Sequence, residues 1–169
     1  CLVGSEMCIR DRSLPVLSVT KGLVDLPDGT LISYLEYYRR RMGSNRLSLN
    51  AIGGPCTAYE LADLDPTTVC FCGRDITLLR RLREIFRTDY YHITVSTDAE
   101  GLECAVALKN AYALGVTLAV GLAEKREGQE GKLHYNSQAA LFGQSVKEMR
   151  RLLKYFGAHE ENIIFGAGD

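Results

Sequence analysis

The chain has 169 residues, 46% of them hydrophobic and 24% charged, with a formal net charge of −1. That is the composition of an ordinary globular chain with enough residues for one good core or two small ones. The near-neutral balance gives no reason to expect a nucleic-acid or membrane-surface partner, and the groups Arg39-Arg40-Arg41 and Arg80-Arg81 with Arg83 and Arg87 read as solvated helix faces.

Residues 1–13 have no hydrophobic period, no initiator Met and no apolar segment of signal-peptide length. They resemble translated adapter sequence, so they are read as a non-native leader that packs on nothing. Val16 to Thr20 reads as a strand ending at Lys21-Gly22, and Leu26 to Thr30 as a turn. Ile32 to Met42 reads as a helix, with Ile32, Leu35, Tyr38 and Met42 on one face. Leu47 to Ile52 is a strand stopped by Gly53-Gly54-Pro55, and Thr57 to Leu64 a short helical turn. Thr67 to Cys72 is rich in β-formers. Asp75 caps a helix to Phe86, with Ile76, Leu79, Leu82, Ile85 and Phe86 facing inward. Tyr90 to Ser96 is another strand. The alternation over residues 14–97 is that of an α/β sheet with crossovers.

The pattern changes at Thr97-Asp98. Asp98 caps one long helix to about Glu124, on the order of 40 Å long, apolar on nearly all sides and so expected to be the buried axis of a helical domain. Its most apolar stretch, Ala111 to Ala123, is short of the roughly 20 residues that span a bilayer, so no membrane span is expected. Lys125 to His134 reads as a charged loop. Asn136 to Phe156 reads as a second helix, with Ala139, Phe142, Val146, Met149, Leu152 and Leu153 inward. The expected organisation is therefore a leader over 1–13, a partial dinucleotide-binding domain over 14–97 and a partial helical domain over 98–169.

Cys70-Phe71-Cys72 places two thiols on one strand face without the spacing of a redox or zinc motif, and Cys104 lies in the apolar helix. All three read as core residues, and the scattered cysteines suit a reducing, cytoplasmic compartment. No metal site is expected.

Lys109-Asn110 stands out because an unpaired ammonium in an apolar helix is costly to bury. Such a lysine either snorkels to water or is used. Five segments frame it in order: Thr20-Lys21-Gly22; Gly53-Gly54-Pro55-Cys56-Thr57-Ala58-Tyr59-Glu60; Thr97-Asp98 through Gly101-Leu102-Glu103 to Ala107-Leu108-Lys109-Asn110; Asn136-Ser137-Gln138-Ala139-Ala140-Leu141 to Glu148-Met149; and Gly166-Ala167-Gly168-Asp169. This series resembles the NAD(P)-dependent glycerol-3-phosphate dehydrogenases, over Leu17 to Asp169.

The resemblance implies the end of a Rossmann-like parallel sheet followed by the start of an all-α substrate domain. It implies an oxidoreductase interconverting dihydroxyacetone phosphate and glycerol 3-phosphate with NAD or NADP, and a homodimer when full-length. Lys109 matches the catalytic lysine that protonates the carbonyl oxygen as hydride arrives. Asn110 would help hold the substrate. Lys21 would contact both substrate and cofactor, Gly54 and Cys56 would belong to the substrate-side loop, Ala58 would face the nicotinamide, and Asp169 would bind a substrate hydroxyl. The residue types suit the reaction, because reducing a ketone needs a proton donor as the oxyanion develops.

The sequence departs from the family pattern at Cys56, where Ser or Asn is usual, at Gln138, and in the charged segment Lys125–Tyr135. No G-x-G-x-x-G precedes Leu14 to cradle a pyrophosphate. These departures frame the alternative, a non-catalytic metabolite- or partner-binding paralogue of the same fold. The dehydrogenase reading requires Lys21, the Gly54–Cys56 loop, Lys109 and Asp169 to line one cleft, on the order of 10 Å across. On its helix, Lys109 shares a face with Leu102, Ala105, Val106, Tyr112, Ala113 and Val116.

Overall fold

The computed structural model describes residues 14–42, 47–128 and 134–167. The expectations for the 1–13 leader and for Asp169 lie outside the described residues.

The first strand, β1, is Pro15–Ser18. A hairpin follows, β2 over Leu23–Asp25 and β3 over Leu31–Ser33, joined by the expected turn, in which the Asp28 carboxylate accepts from Thr30 N at 2.9 Å. Helix α1 spans Tyr34–Met42. Ile32, expected to open this helix, lies instead in β3. Ser33 ends β3 and caps α1, accepting from Glu36 N at 3.2 Å, the Ser-x-x-Glu spacing of a capping box.

Strand β4 is Ser48–Gly53, helix α2 Ala58–Ala62, strand β5 Thr67–Cys72, helix α3 Ile76–Phe86 and strand β6 Tyr91–Ser96. Asp75 caps α3 as expected, accepting from Thr77 N and Leu78 N. The sheet runs β1-β4-β5-β6. β1 with β4 and β5 with β6 are parallel, but β4 and β5 are antiparallel, pairing Ala51 with Cys72 and Gly53 with Cys70. The sheet is thus mixed rather than purely parallel. Between β4 and β5 the chain makes only the five-residue α2 and re-enters the sheet from the same end, without the face-crossing helix that a parallel connection needs.

One sheet face packs Leu49, Ala51, Cys70 and Cys72 against Leu35 of α1 and against Ala99 and Leu102 of the next helix. The other packs Val69, Phe71 and Ile93 against Leu79 and Leu82 of α3. Each such buried aliphatic or aromatic side chain contributes about 1.5–3 kcal/mol. Cys70 and Cys72 share the face and burial expected of them. Ile85 and Phe86, expected inward, are 64% and 49% exposed; they stand on the last turn of α3, where Phe86 makes an edge contact with Phe71.

Helix α4 spans Ala99–Glu127 and α5 Tyr135–Tyr155, followed by a 3₁₀ turn at Glu160–Asn162 and helix α6 over Ile163–Ala167. The burial of α4 is confined to its first turns, Ala99 and Gly101 through Val106. Beyond them Leu114, Leu118 and Leu122 are each more than half exposed. All-round apolarity did not translate into all-round burial: on α5 only Met149 and Leu153, in its C-terminal half, are buried, while Phe142 is exposed. By length and composition α4 is long and apolar enough to cross a bilayer, with 11% of its apolar window buried.

Candidate functional site

Glycine shapes the loop after β4. Gly54 has φ +116°, a conformation that side-chain-bearing residues rarely adopt. A Cβ there would also meet the Thr68 carbonyl oxygen at 3.2 Å and the Phe165 ring at 3.5 Å. Gly53 is pressed against Leu102 of α4, where a Cβ would approach Leu102 Cγ at 2.8 Å. The loop therefore runs between sheet, α4 and α6. Past it, Cys56 and Ala58 are exposed, and Thr57 hydrogen-bonds Glu60.

Lys21 comes to this loop from the opposite direction. Its Nζ donates to the Gly54 carbonyl oxygen at 3.1 Å, across 33 residues of sequence. Two of the sequence-predicted elements are thus in direct contact.

Lys109 is half-buried and Asn110 exposed. Leu102 touches Gly53, and the backbone of Ala105 touches Gly166, where a Cβ would lie 2.7 Å from the Ala105 oxygen. Residues 102, 105 and 109 follow helical spacing along one side of α4. Lys109 therefore stands on the side of α4 that packs against the glycine loop and α6, one turn beyond their contacts. The small residues at Ala105 and Gly166 leave the backbone close-packed there. α6 carries the chain to within two residues of Asp169, which itself lies outside the described residues.

Two carboxylates that the sequence reading left without a site role organise this region. Asp98 does more than cap α4. One oxygen accepts from Gly101 N at 3.0 Å, and the other from His159 N at 2.6 Å and the buried Asn162 amide at 2.5 Å. It ties the start of α4 to the turn that launches α6. Glu103 is only 3% exposed; it accepts from Leu35 N at the start of α1 at 3.4 Å. Its other oxygen has no hydrogen-bond partner among the described residues. Burial pushes its carboxyl up to about 7, against the opposing pull of the Ser33 hydroxyl, the Leu35 N–H and Arg39. Apart from Gly101, these partners (Leu35, His159 and Asn162) lie more than 60 residues away in sequence, so local pattern carries no trace of them.

A family model, the C-terminus of NAD-dependent glycerol-3-phosphate dehydrogenase, matches residues 98–169. The NADP-dependent glycerol-3-phosphate dehydrogenase of Archaeoglobus fulgidus is 31% identical over 188 residues, taking in 100% of this chain and 55% of the relative. The chain belongs to the NAD(P)-dependent glycerol-3-phosphate dehydrogenase family. The crystal structure of a glycerol-3-phosphate dehydrogenase from Coxiella burnetii superposes with a TM-score of 0.75 at 26% identity, over 96% of this chain and 47% of that one. The chain spans about half the length of the curated glycerol-3-phosphate dehydrogenases it matches.

Proposed function

We propose that this chain supplies the centre of a dehydrogenase that interconverts dihydroxyacetone phosphate and glycerol 3-phosphate, with residues 14–97 serving the cofactor and 98–169 the substrate. The observation that carries the reading is the Lys21 Nζ contact with Gly54, made beside the face of α4 that bears Lys109. The reading requires Lys109, 88 residues from Lys21 in sequence, to reach the same space, so that one small, doubly charged substrate touches all three elements.

In this reading Lys21 attracts the phosphorylated triose, the Gly54–Cys56 loop holds it through backbone groups and a weakly hydrogen-bonding thiol, and Asn110 and Asp169 orient its hydroxyl end. Lys109 donates a proton to the carbonyl oxygen as negative charge develops there, and takes it back in the reverse direction. The described residues fit the nicotinamide end of NAD or NADP: an exposed small side chain at Ala58 and a cation at Lys21 border an open loop. When bound, that group supplies or accepts the hydride.

We take α4 as a helix of the substrate domain rather than a membrane span, since Lys109 and Asn110 stand in its middle. The free thiols of Cys56, Cys70, Cys72 and Cys104 support a reducing, cytoplasmic setting, and a homodimer is the proposed assembly of the whole protein.

The test is an assay of the complete protein carrying this sequence, with dihydroxyacetone phosphate and reduced cofactor. Turnover is expected; none would reject the reading in favour of a binding paralogue. The 169-residue chain alone is expected to give no rate above buffer.

A further inference from the structure

Glu103 takes no part in the chemistry proposed above, yet it is a buried acid on the helix that bears Lys109. Its position in the fold gives it a job. Its carboxylate accepts from Leu35 N, in the first turn of α1, where unpaired backbone N–H groups favour a negative partner. One turn earlier on α4, Glu100 accepts from the Ser33 hydroxyl at 2.7 Å and pairs with Arg39 at 3.2 Å. The two acids together grip the junction between β3 and α1.

That junction leads directly to Lys21. Ser33 is the partner of Leu23 in the β2–β3 ladder, two residues after Lys21. Gly22 lies on the Tyr34 ring, the first residue of α1, so closely that a Cβ would sit 3.2 Å from the ring. A continuous series of contacts therefore runs from Glu103 through Leu35 and Tyr34 to Gly22 and the Lys21 turn.

Resting on the dehydrogenase reading, we propose that Glu103 is a positioning residue: it clips the hairpin that presents Lys21 to the helix that presents Lys109, and so fixes the spacing of the two cations across the substrate. Lys109 rides on α4 itself and keeps its place when the clip is lost. Lys21 is the group that drifts. Loss of Glu103 should therefore weaken substrate binding more than it slows the proton transfer.

The experiment compares the complete protein with its E103A, E103Q and E100A variants. KM for dihydroxyacetone phosphate and kcat are measured, together with hydrogen exchange at backbone amides 20–25. E103A is expected to raise KM about tenfold or more while kcat falls by less than about threefold. E103Q keeps an oxygen for the Leu35 N–H and should recover most of that loss. E100A, at a half-exposed position, should raise KM in the same direction by less. Exchange at 20–25 should accelerate in E103A.

An unchanged KM in E103A and E100A, or equal losses in kcat and kcat/KM, would overturn the proposal, as would E103Q failing to rescue. If the parent protein turns over no triose phosphate, the dehydrogenase reading fails. Exchange then decides: faster exchange at 20–25 in E103A keeps the clip, and unchanged exchange removes it.

Discussion

Replacing Glu103 by Gln should make the protein more stable in mild alkali and leave it unchanged in mild acid. In the folded chain burial holds the carboxyl's proton up to about pH 7, whereas the unfolded chain releases it near 4.5. Across that window the folded state binds more protons, so stability is greatest below about pH 4.5 and falls as pH rises towards 7. The gap between 4.5 and about 7, at about 1.4 kcal/mol for each tenfold change, comes to roughly 3 kcal/mol. The charged and titratable groups facing it are Glu100 on its own helix, Arg39 from α1 and the Cys72 thiol from β5. Of these, Arg39 favours ionisation, alongside the Ser33 hydroxyl and the Leu35 N–H, and it is shared with Glu100. Gln keeps the contact with Leu35 N–H without the charge. Urea unfolding of parent and E103Q proteins at pH 4, 6, 7 and 8 should show E103Q more stable by about 1–3 kcal/mol at pH 8 and within about 0.5 kcal/mol at pH 4. A variant less stable at pH 8, or a difference independent of pH, would refute the reasoning, because the contacts at the start of α1 would then outweigh the burial of the charge.

Asp98→Ala should destabilise the protein by about 2–4 kcal/mol, since it removes a helix cap and leaves the buried Asn162 amide short of a partner; thermal or urea unfolding checks this. Among Cys56, Cys70, Cys72 and Cys104, the exposed Cys56 should react with a thiol reagent first, the other three being buried. Dihydroxyacetone phosphate should slow that reaction in the complete protein, as followed by mass spectrometry of the labelled peptide. Burial raises the thiols of Cys70, Cys72 and Cys104, so their labelling should wait for unfolding.

The sheet strands, the capped helix α3 and the two long helices were legible because each carries a strong period and a clear terminator. The β2–β3 hairpin was not. Its strands are three residues each, and Ile32 runs straight into α1, where the spacing of Ile32, Leu35 and Tyr38 looks helical. The antiparallel turn from β4 to β5 was hidden because the side-chain pattern of a strand does not record its direction in the sheet. The extent of burial along α4 depends on how far α5 reaches, which no local pattern records. For the candidate site, the resemblance drew attention to Lys21 and Gly54, and the structure puts them in contact. It could not reveal Asp98 and Glu103 as organisers, because their partners arrive only with the tertiary fold.

Lys109 of α4 is the proposed proton donor. The most direct measurement is the turnover of dihydroxyacetone phosphate by the complete protein carrying Lys109→Met, alongside a titration of reduced cofactor binding. The account predicts that kcat falls by about a hundredfold or more while cofactor affinity stays within about twofold of the parent. Turnover retained at the parent's level, or lost only in step with cofactor affinity, would contradict it.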